Sequence, residues 1–493
     1  MSRQRAEVSA DLTRATIPVA ALVSFAARPT TVGATCVRHD SAFPVTIERM
    51  LAVHGGAVRA RITGVVLLML SPMMLAAQSG AAVTTPIDGD SALATVLARA
   101  TLATPRLRAT AARVAAARAR IGPAGSRPDP MLMTGLQNFP LFAPGFTDGM
   151  TMKMVGISQT VLFPGKLRLR RDVAERDVDA VVAQDLAARA DLVAAVKAAW
   201  YDLAYIDAAL ALTRQQRVTL DGVAEIALAR YNAGAGSQAD VLTARIEAAK
   251  LLDEENGLSA QRTSTVALLN ALIDRASDAP VEPVLVSARV RRAAMADSLQ
   301  VRPPSLPALR DLQMRAMQGG PMLIGHQREI DAQIRRVALA RIDARPDFDV
   351  LVQYGQRNRL PDMVTVQVAI PLRLQQRTKQ GEVIAAARAD VAALEAEHDA
   401  QRNEVNATIA RLLSAAERAR ARLALYATSV IPQRRAAVDA ALAAYRGNSG
   451  ALAQVLSAQA AMLSDRTTLA RTLSDFAKSF AAIELVVGSE VLP

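Results

Sequence analysis

Two hydrophobic periods divide this chain. From Lys166 to about Asn232 there is no proline and one glycine, Gly222, and apolar residues recur at helical spacing at Leu186, Val193, Val196, Trp200, Leu203, Ile206 and Leu210. At about 1.5 Å per residue, these ~65 residues predict a single helix roughly 100 Å long. Thr378–Arg446 repeats the pattern, with a break or kink expected at Pro432. Period two appears in only a few short runs. Val364–Ile370 alternates strictly, with Val364, Val366, Val368 and Ile370 on one face and Thr365, Gln367 and Ala369 on the other. Phe348–Tyr354 places Phe348, Val350, Val352 and Tyr354 on one face, against Asp349, Leu351 and Gln353. Gly355–Asp362 reads as the polar connection between these two strands. Met152–Val161 is a third strand, with Val155 and Ile157 opposed to Gly156 and Ser158, and Met131–Gln137 is a weaker fourth.

The elements recur in order. Arg230–Arg245 (RYNAGAGSQADVLTAR) and Ala444–Gln459 (AYRGNSGALAQVLSAQ) align at an offset of 214, sharing Tyr231/Tyr445, Gly236/Gly450, Val241/Val455, Leu242/Leu456 and Ala244/Ala458. Gly156–Lys166 and Gln367–Arg377 align at an offset near 211. The chain therefore reads as a tandem duplication. The first repeat covers 91–280, with strands near 129–163, and the second covers 304–488, with strands near 347–373. The Pro-rich stretch 281–303 links them. Each repeat runs helix, two strands, long helix, tight turn, helix. Glycine at Gly234, Gly236, Gly447 and Gly450 suits the left-handed caps such turns need. The strands fit two ordinary hairpins packed on helices. They also fit, better, a barrel completed by other copies of the same chain, because no further strands follow either hairpin.

Residues 50–82 carry a basic n-region (Arg59, Arg61), an apolar run Ile62–Leu75 and a small-residue zone, the pattern of a secretory signal peptide. The run is shorter than the ~20 residues of a membrane span. Met50 then reads as the initiator and 1–49 as an upstream extension absent from the mature protein. Cys36 falls in that extension, leaving the mature chain without disulfides, thiolate metal sites or an acylated N-terminal Cys. Losing 1–82, with eight Arg and four acidic residues, lowers the net charge from +12 to about +8. The remaining basic residues are spread along helices without interleaved aromatics, so nucleic acid is not an expected partner. Aromatics are only 3% of the chain, and alanine carries much of the apolar share, which favours close-packed helices over thick cores.

The strand-end motif Ile157–Lys166 (ISQTVLFPGK), its counterpart Ala369-Ile-Pro-Leu372, and the turns Tyr231–Leu242 and Tyr445–Leu456 carry a specific resemblance. The chain resembles the TolC-like outer membrane efflux proteins over essentially all of 91–488. Asp129-Pro130 with Phe163-Pro-Gly-Lys166 is most similar to their heavy-metal (cation) branch. The resemblance implies a mainly α fold with a small membrane β-barrel. Tandem-duplicated helical hairpins would form a trimeric periplasmic α-barrel topped by a twelve-stranded outer-membrane barrel, four strands per protomer. It also implies a homotrimer that works with a periplasmic adaptor and an inner-membrane pump of the RND type. The outer channel of type I protein secretion is the alternative within this class, and a periplasmic long-helix scaffold or adaptor the alternative outside it. An adaptor would place one helical hairpin inside a split β-domain, whereas here strands interrupt helices twice.

On this reading the docking surface for the adaptor is Tyr231, Gly234, Gly236, Val241, Leu242, Tyr445, Gly450, Val455 and Leu456, where small residues let another helical hairpin approach. Asp240 is the gate candidate, three copies making an acidic ring. Gln454 stands at the equivalent place in the second repeat, and a helix-dipole role for Asp240 is the competing account. Val364, Val366, Val368 and Ile370 are expected to face lipid. Phe139, Phe142, Phe146, Phe163, Phe348 and Tyr354 fit an interfacial girdle or core packing equally. Met131, Met133, Met150, Met152 and Met154 are soft potential ligands, but alternate methionines on strands serve more often as adaptable apolar filling. His326 and His398 read as isolated surface helix residues. With no catalytic triad order, phosphate loop or cysteine pair, neither an enzyme nor a cofactor is expected.

Overall fold

The computed structural model describes residues 89–142, 144–295 and 304–492. The expected extension 1–49, the signal peptide 50–82 and linker residues 296–303 lie outside the described residues. In chain order the described elements are α1 (Gly89–Ala103), α2 (Pro105–Gly125), β1 (Met131–Gln137), β2 (Met152–Val161), α3 (Lys166–Asn232), α4 (Gln238–Leu272), α5 (Ala288–Ala294), α6 (Leu309–Gly319), α7 (Pro321–Asp343), β3 (Phe348–Arg357), β4 (Met363–Ala369), α8 (Glu382–Leu425), α9 (Ile431–Arg446) and α10 (Leu452–Val487).

The long first-repeat helix forms as its sequence predicts, 67 residues without interruption. The helix leading into each repeat's strands is divided, which the pattern did not show. α2 and α7 each begin on a proline, Pro105 and Pro321, at the first-turn position where a missing N–H costs nothing. The break expected at Pro432 is instead a π-helical turn, Tyr426–Val430, immediately before α9, so the helix continues past the proline. Inserting one residue per turn relieves the clash and the lost hydrogen bond that a proline imposes on a regular α-helix. A second π-helical turn, Gln376–Gly381, opens α8. Its counterpart differs, because Gly165 (φ 90°) turns β2 directly into α3, whereas Gln376 occupies the position 211 residues on.

The strands are two hairpins joined into one antiparallel sheet of order β1-β2-β3-β4. The central pairing, β2 with β3, crosses between the repeats over ten residue pairs, from Met152↔Arg357 to Val161↔Phe348. β3 runs on to Arg357, so the connection to β4 is only Asn358–Asp362, shorter than the Gly355–Asp362 expected. β4 ends at Ala369 because Pro371 has no N–H and biases Ile370 away from continuing the ladder.

α3 is the central rod. Its first half lies against α2 and α7, through Thr110 and Asp185, Gln184 and Glu329 (3.1 Å), and Arg336 and Asp177 (2.5 Å). Its second half lies against α4 and α10, through Arg214–Glu255 (2.6 Å) and the buried Gln216–Gln459 bond (2.9 Å). The main core sits midway along the long helices, where Trp200, Leu203, Leu269, Leu312, Ile409, Phe476 and Phe480 are almost fully buried. Smaller clusters lie further along the helices toward the tips, one of Leu220, Ala248, Leu251 and Leu463 and one around Tyr445. Among the described residues, no helix is long and apolar enough to cross a membrane.

Candidate conduit surfaces: the sheet, its junction and the helix tips

Register assigns the sheet two chemically different faces. One presents the cross-strand rows Leu132–Ile157–Val352–Val366 and Thr134–Val155–Tyr354–Val364, with Val350–Val368 below. These side chains are exposed, Val364 to 67% and Val366 to 66%. From Val155 to Val161 the apolar band spans about 20 Å at ~3.4 Å per residue. The opposite face carries Gln137, Ser158, Thr160, Asp349, Gln353, Thr365 and Gln367. β1 and β4 each keep one unpaired edge, so the sheet is open on both sides. Tyr354 stands toward one rim of the band, its hydroxyl donating to Asp362, and Phe348 stands at the other. Phe139 and Phe146 pack edge to face (5.7 Å) in the loop between β1 and β2.

Where the sheet meets the helices, Lys166 is 1% exposed. Its ammonium donates to both oxygens of Asp347 (2.8 and 2.9 Å) and to the Arg345 carbonyl (3.2 Å), and Asp343 lies 3.5 Å away. Asp347 also accepts the Phe163 N–H at 2.8 Å. One charged knot therefore binds the exit of β2 and start of α3 to the entrance of β3. Burial pushes the Asp347 carboxyl up, but hydrogen bonds from Lys166 and the Phe163 N–H, with the charges of Lys166 and Arg170, outweigh it and hold the group below the usual carboxylate range. Sequence reading took this lysine only as part of a motif. Its repeat counterpart, Arg377, is exposed, so the duplication gives no hint of the burial.

At the far end, α3 turns into α4 and α9 into α10 by equivalent backbones. Gly234 (φ 72°) and Asn448 (φ 61°), 214 residues apart, are both left-handed. A Cβ on Gly236 would lie 3.1 Å from Arg230 Cβ, and one on Gly450 would lie 3.0 Å from Ala444 Cβ. Both glycines are thus required by close approach to the preceding helix. The sequence-derived docking residues divide by burial. Val241, Tyr445 and Val455 are interior, forming a small core with Val223, Ala227 and Leu452, and Leu456 packs partly against it. Tyr231 (44%) and Leu242 (51%) are exposed, as is the turn at Gly234. The aligned tyrosines therefore have different duties, Tyr445 being only 1% exposed.

Arg230 accounts for that difference, and sequence reading missed it. Its guanidinium lies over the Tyr445 ring at 4.3 Å and donates to the Tyr445 carbonyl, to Asn448 Oδ1 and to the Ala235 carbonyl (3.0 Å). One side chain of the first repeat thus clasps the turn of the second. Its counterpart is Ala444, and that loss of symmetry was the available signal. Burial, then the Asp240 carboxylate, push the Tyr445 phenol up against the opposing pull of Arg230. Asp240 itself stands in the first turn of α4, its N–H donating to the Ser237 hydroxyl at 3.1 Å. This is the helix-start geometry of the competing account, and it leaves the carboxylate half-exposed.

Among the described residues, no group of three His, Cys, Asp or Glu side chains is placed to hold a metal. His326 and His398 are half-buried on the adjoining helices α7 and α8, each with a buried Nδ1 lacking a hydrogen-bond partner, rather than on open surface.

The described chain thus joins a four-stranded sheet with one apolar and one polar face to two tight helix turns at the far end. Residues 96–274 match the outer membrane efflux protein family. That match lies within the first repeat, and the fold of the described residues is similar to that of solved outer-membrane channels. The outer-membrane channel OprN superposes with a TM-score of 0.68 at 16% identity, over 82% of this chain and 91% of that one. The outer membrane protein VceC from Vibrio cholerae gives 0.66 at 19% identity, over 81% and 97%. CusC, whose structures concern folding and transmembrane channel formation, gives 0.63 at 15%, over 80% and 92%. No curated protein matches the chain in sequence.

Proposed function

We propose that the chain is one protomer of a trimeric outer-membrane efflux channel. Three four-stranded sheets close into one barrel, and the long helices form its periplasmic extension. The single observation that carries this reading is the sheet, whose band of exposed Val, Ile, Leu and Tyr is backed by a polar face and bounded by two free edges. Such a surface is stable only if lipid covers the band, water fills the other side and neighbours pair the edges. The conduit serves small solutes, heavy-metal cations among them, in line with the resemblance of Asp129-Pro130 and Phe163–Lys166 to that branch. An adaptor docks at the exposed tip residues Tyr231, Gly234 and Leu242, and an inner-membrane pump supplies the energy. Buried Val241, Tyr445 and Val455 hold the docking turns in place.

Fractionation and cross-linking test the reading, with an outer-membrane trimer expected. A soluble periplasmic monomer would sink it. The tips supply two further expectations. Arg230→Ala removes charged hydrogen bonds of about 1.5–3 kcal/mol each from the clasp between the turns. Single-channel recording should then show an open fraction raised roughly tenfold or more with the trimer intact; unchanged gating would leave the clasp purely structural. Asp240→Asn should reduce cation preference in a planar bilayer if three copies ring the constriction, and unchanged selectivity would assign Asp240 to the helix start alone.

A further inference from the structure

The methionines of the sheet are segregated by face. Met131 and Met133 of β1, Met152 and Met154 of β2, and Met363 of β4 all lie on the polar side, with Gln353, Thr365 and Gln367. None lies on the apolar side, where Leu, Ile, Val, Phe and Tyr stand with Thr134, Lys153, Gln159 and Gln356. Apolar filling would put them where apolar filling is needed, so the thioethers call for another account. Their arrangement narrows it. Gly135, Met154, Gly355 and Met363 form one row across all four strands, so Met154 and Met363 flank Gly355 directly. Met152, one position along on the same face of β2, leans toward the same place. A Cβ on Gly355 would lie 2.9 Å from Met154 Sδ and 3.3 Å from Met152 Sδ. Gly355 is buried beneath them. Beside Met154 on the other flank, a Cβ on Gly135 would meet nothing within 4 Å.

We propose that Met152, Met154 and Met363 form a thioether site for a soft monovalent metal ion, Cu(I) or Ag(I), on the polar face of the sheet over Gly355. Thioether sulfur is neutral, polarizable and weakly hydrated, and it selects soft d¹⁰ cations over hard or borderline divalent ones. It takes no proton, so loading is independent of pH over the physiological range. The missing side chain at Gly355 leaves the space into which the Met152 and Met154 sulfurs reach, with Met363 paired beside it on β4. Arg357, opposite Met152, is engaged elsewhere, its Nε donating to the Pro361 carbonyl at 2.8 Å. That the site opens on a conduit rests on the channel reading; the convergence of the sulfurs is a property of the single chain. In that conduit the ion is cargo, held by exchangeable neutral ligands rather than trapped by charge.

The test is titration of Ag(I) into the purified full-length protein in lipid nanodiscs, labelled with ¹³C at the methionine methyls and followed by NMR and calorimetry. Saturable binding that shifts the Met152, Met154 and Met363 methyls is expected, and Zn(II) should not reproduce it. Met152→Leu with Met154→Leu should weaken binding at least tenfold. Gly355→Ala should do the same while retaining every sulfur, because its methyl fills the space. Met150→Leu, outside the strands, should bind as the parent does. Absence of saturable binding, equal affinity for Zn(II), or indifference to both the methionine and the glycine variants overturns the site. Conductance of the same preparation separates the two proposals: a conducting trimer that ignores Ag(I) removes the site alone, and Ag(I) binding without conductance removes the channel alone.

Discussion

If the chain forms the proposed outer-membrane trimer, Val366→Arg should abolish it, whereas Thr365→Arg, its immediate neighbour, should assemble and shift selectivity toward anions. Val366 ends the row Leu132–Ile157–Val352–Val366 and is 66% exposed. An arginine on the lipid face near the bilayer midplane costs about 2–4 kcal/mol, and a trimer bears that cost at three places. The same residue on the polar face stands in water and only adds positive charge to the lumen. Semi-native electrophoresis of outer-membrane fractions reads the first effect and reversal potentials in a salt gradient read the second. Equal tolerance of both substitutions would mean that the apolar band does not meet lipid.

Lys166→Met should be strongly destabilising. Removing one partner of a buried pair leaves the other charge uncompensated, at about 3–5 kcal/mol. Here the stranded group is Asp347, whose remaining partner from this knot is the Phe163 N–H at 2.8 Å. Lys166→Met with Asp347→Asn should recover much of the loss, because the desolvated carboxylate is gone as well. The sign of the pH effect follows from the depressed carboxyl. A group held below its unfolded value contributes stability above the ordinary carboxylate range and loses it as pH falls through its folded value. With Lys166 removed, the desolvated Asp347 carboxyl rises, so less stability depends on its ionised form and the deficit of the variant relative to the parent should narrow as pH falls through the carboxylate range. Thermal unfolding in detergent across the acidic range measures both. A deficit that stays constant down to acid pH would show that Lys166 is not what holds the Asp347 carboxyl down.

Much of this was legible before any coordinates. Val364, Val366 and Val368 alternate because a strand's side chains point to opposite sides, so the apolar face could be read from spacing alone. The long span Lys166–Asn232 lacks every residue that would stop a helix, and it forms as one. Gly234 announced the left-handed turn of the first repeat, but in the second the left-handed residue is Asn448, not one of the expected glycines Gly447 and Gly450, and Gly236 is not left-handed either. What spacing did not reveal were differences between aligned partners. Tyr231 and Tyr445 occupy the same place in the duplication, yet one is exposed and the other is buried beneath Arg230. Lys166 and Arg377 likewise align, and only the first is enclosed. Pro432 looked like a break because local rules forbid it in an α-helix. The chain instead admits a π-helical turn just before the proline, and the helix continues.

By itself, then, the sequence determined the elements, their duplication and the two-sided chemistry of each strand, since those follow from steric preference and periodicity within a few residues. The tertiary structure decided which hairpins join, through the β2–β3 ladder that crosses the repeats. It also decided which of two equivalent tips is clasped and where five methionines gather. These depend on contacts between residues about 200 positions apart, and no local preference encodes them. They are set only when close packing leaves one arrangement in which buried charges are paired, the strands are in register, and a glycine lies where sulfur must pass.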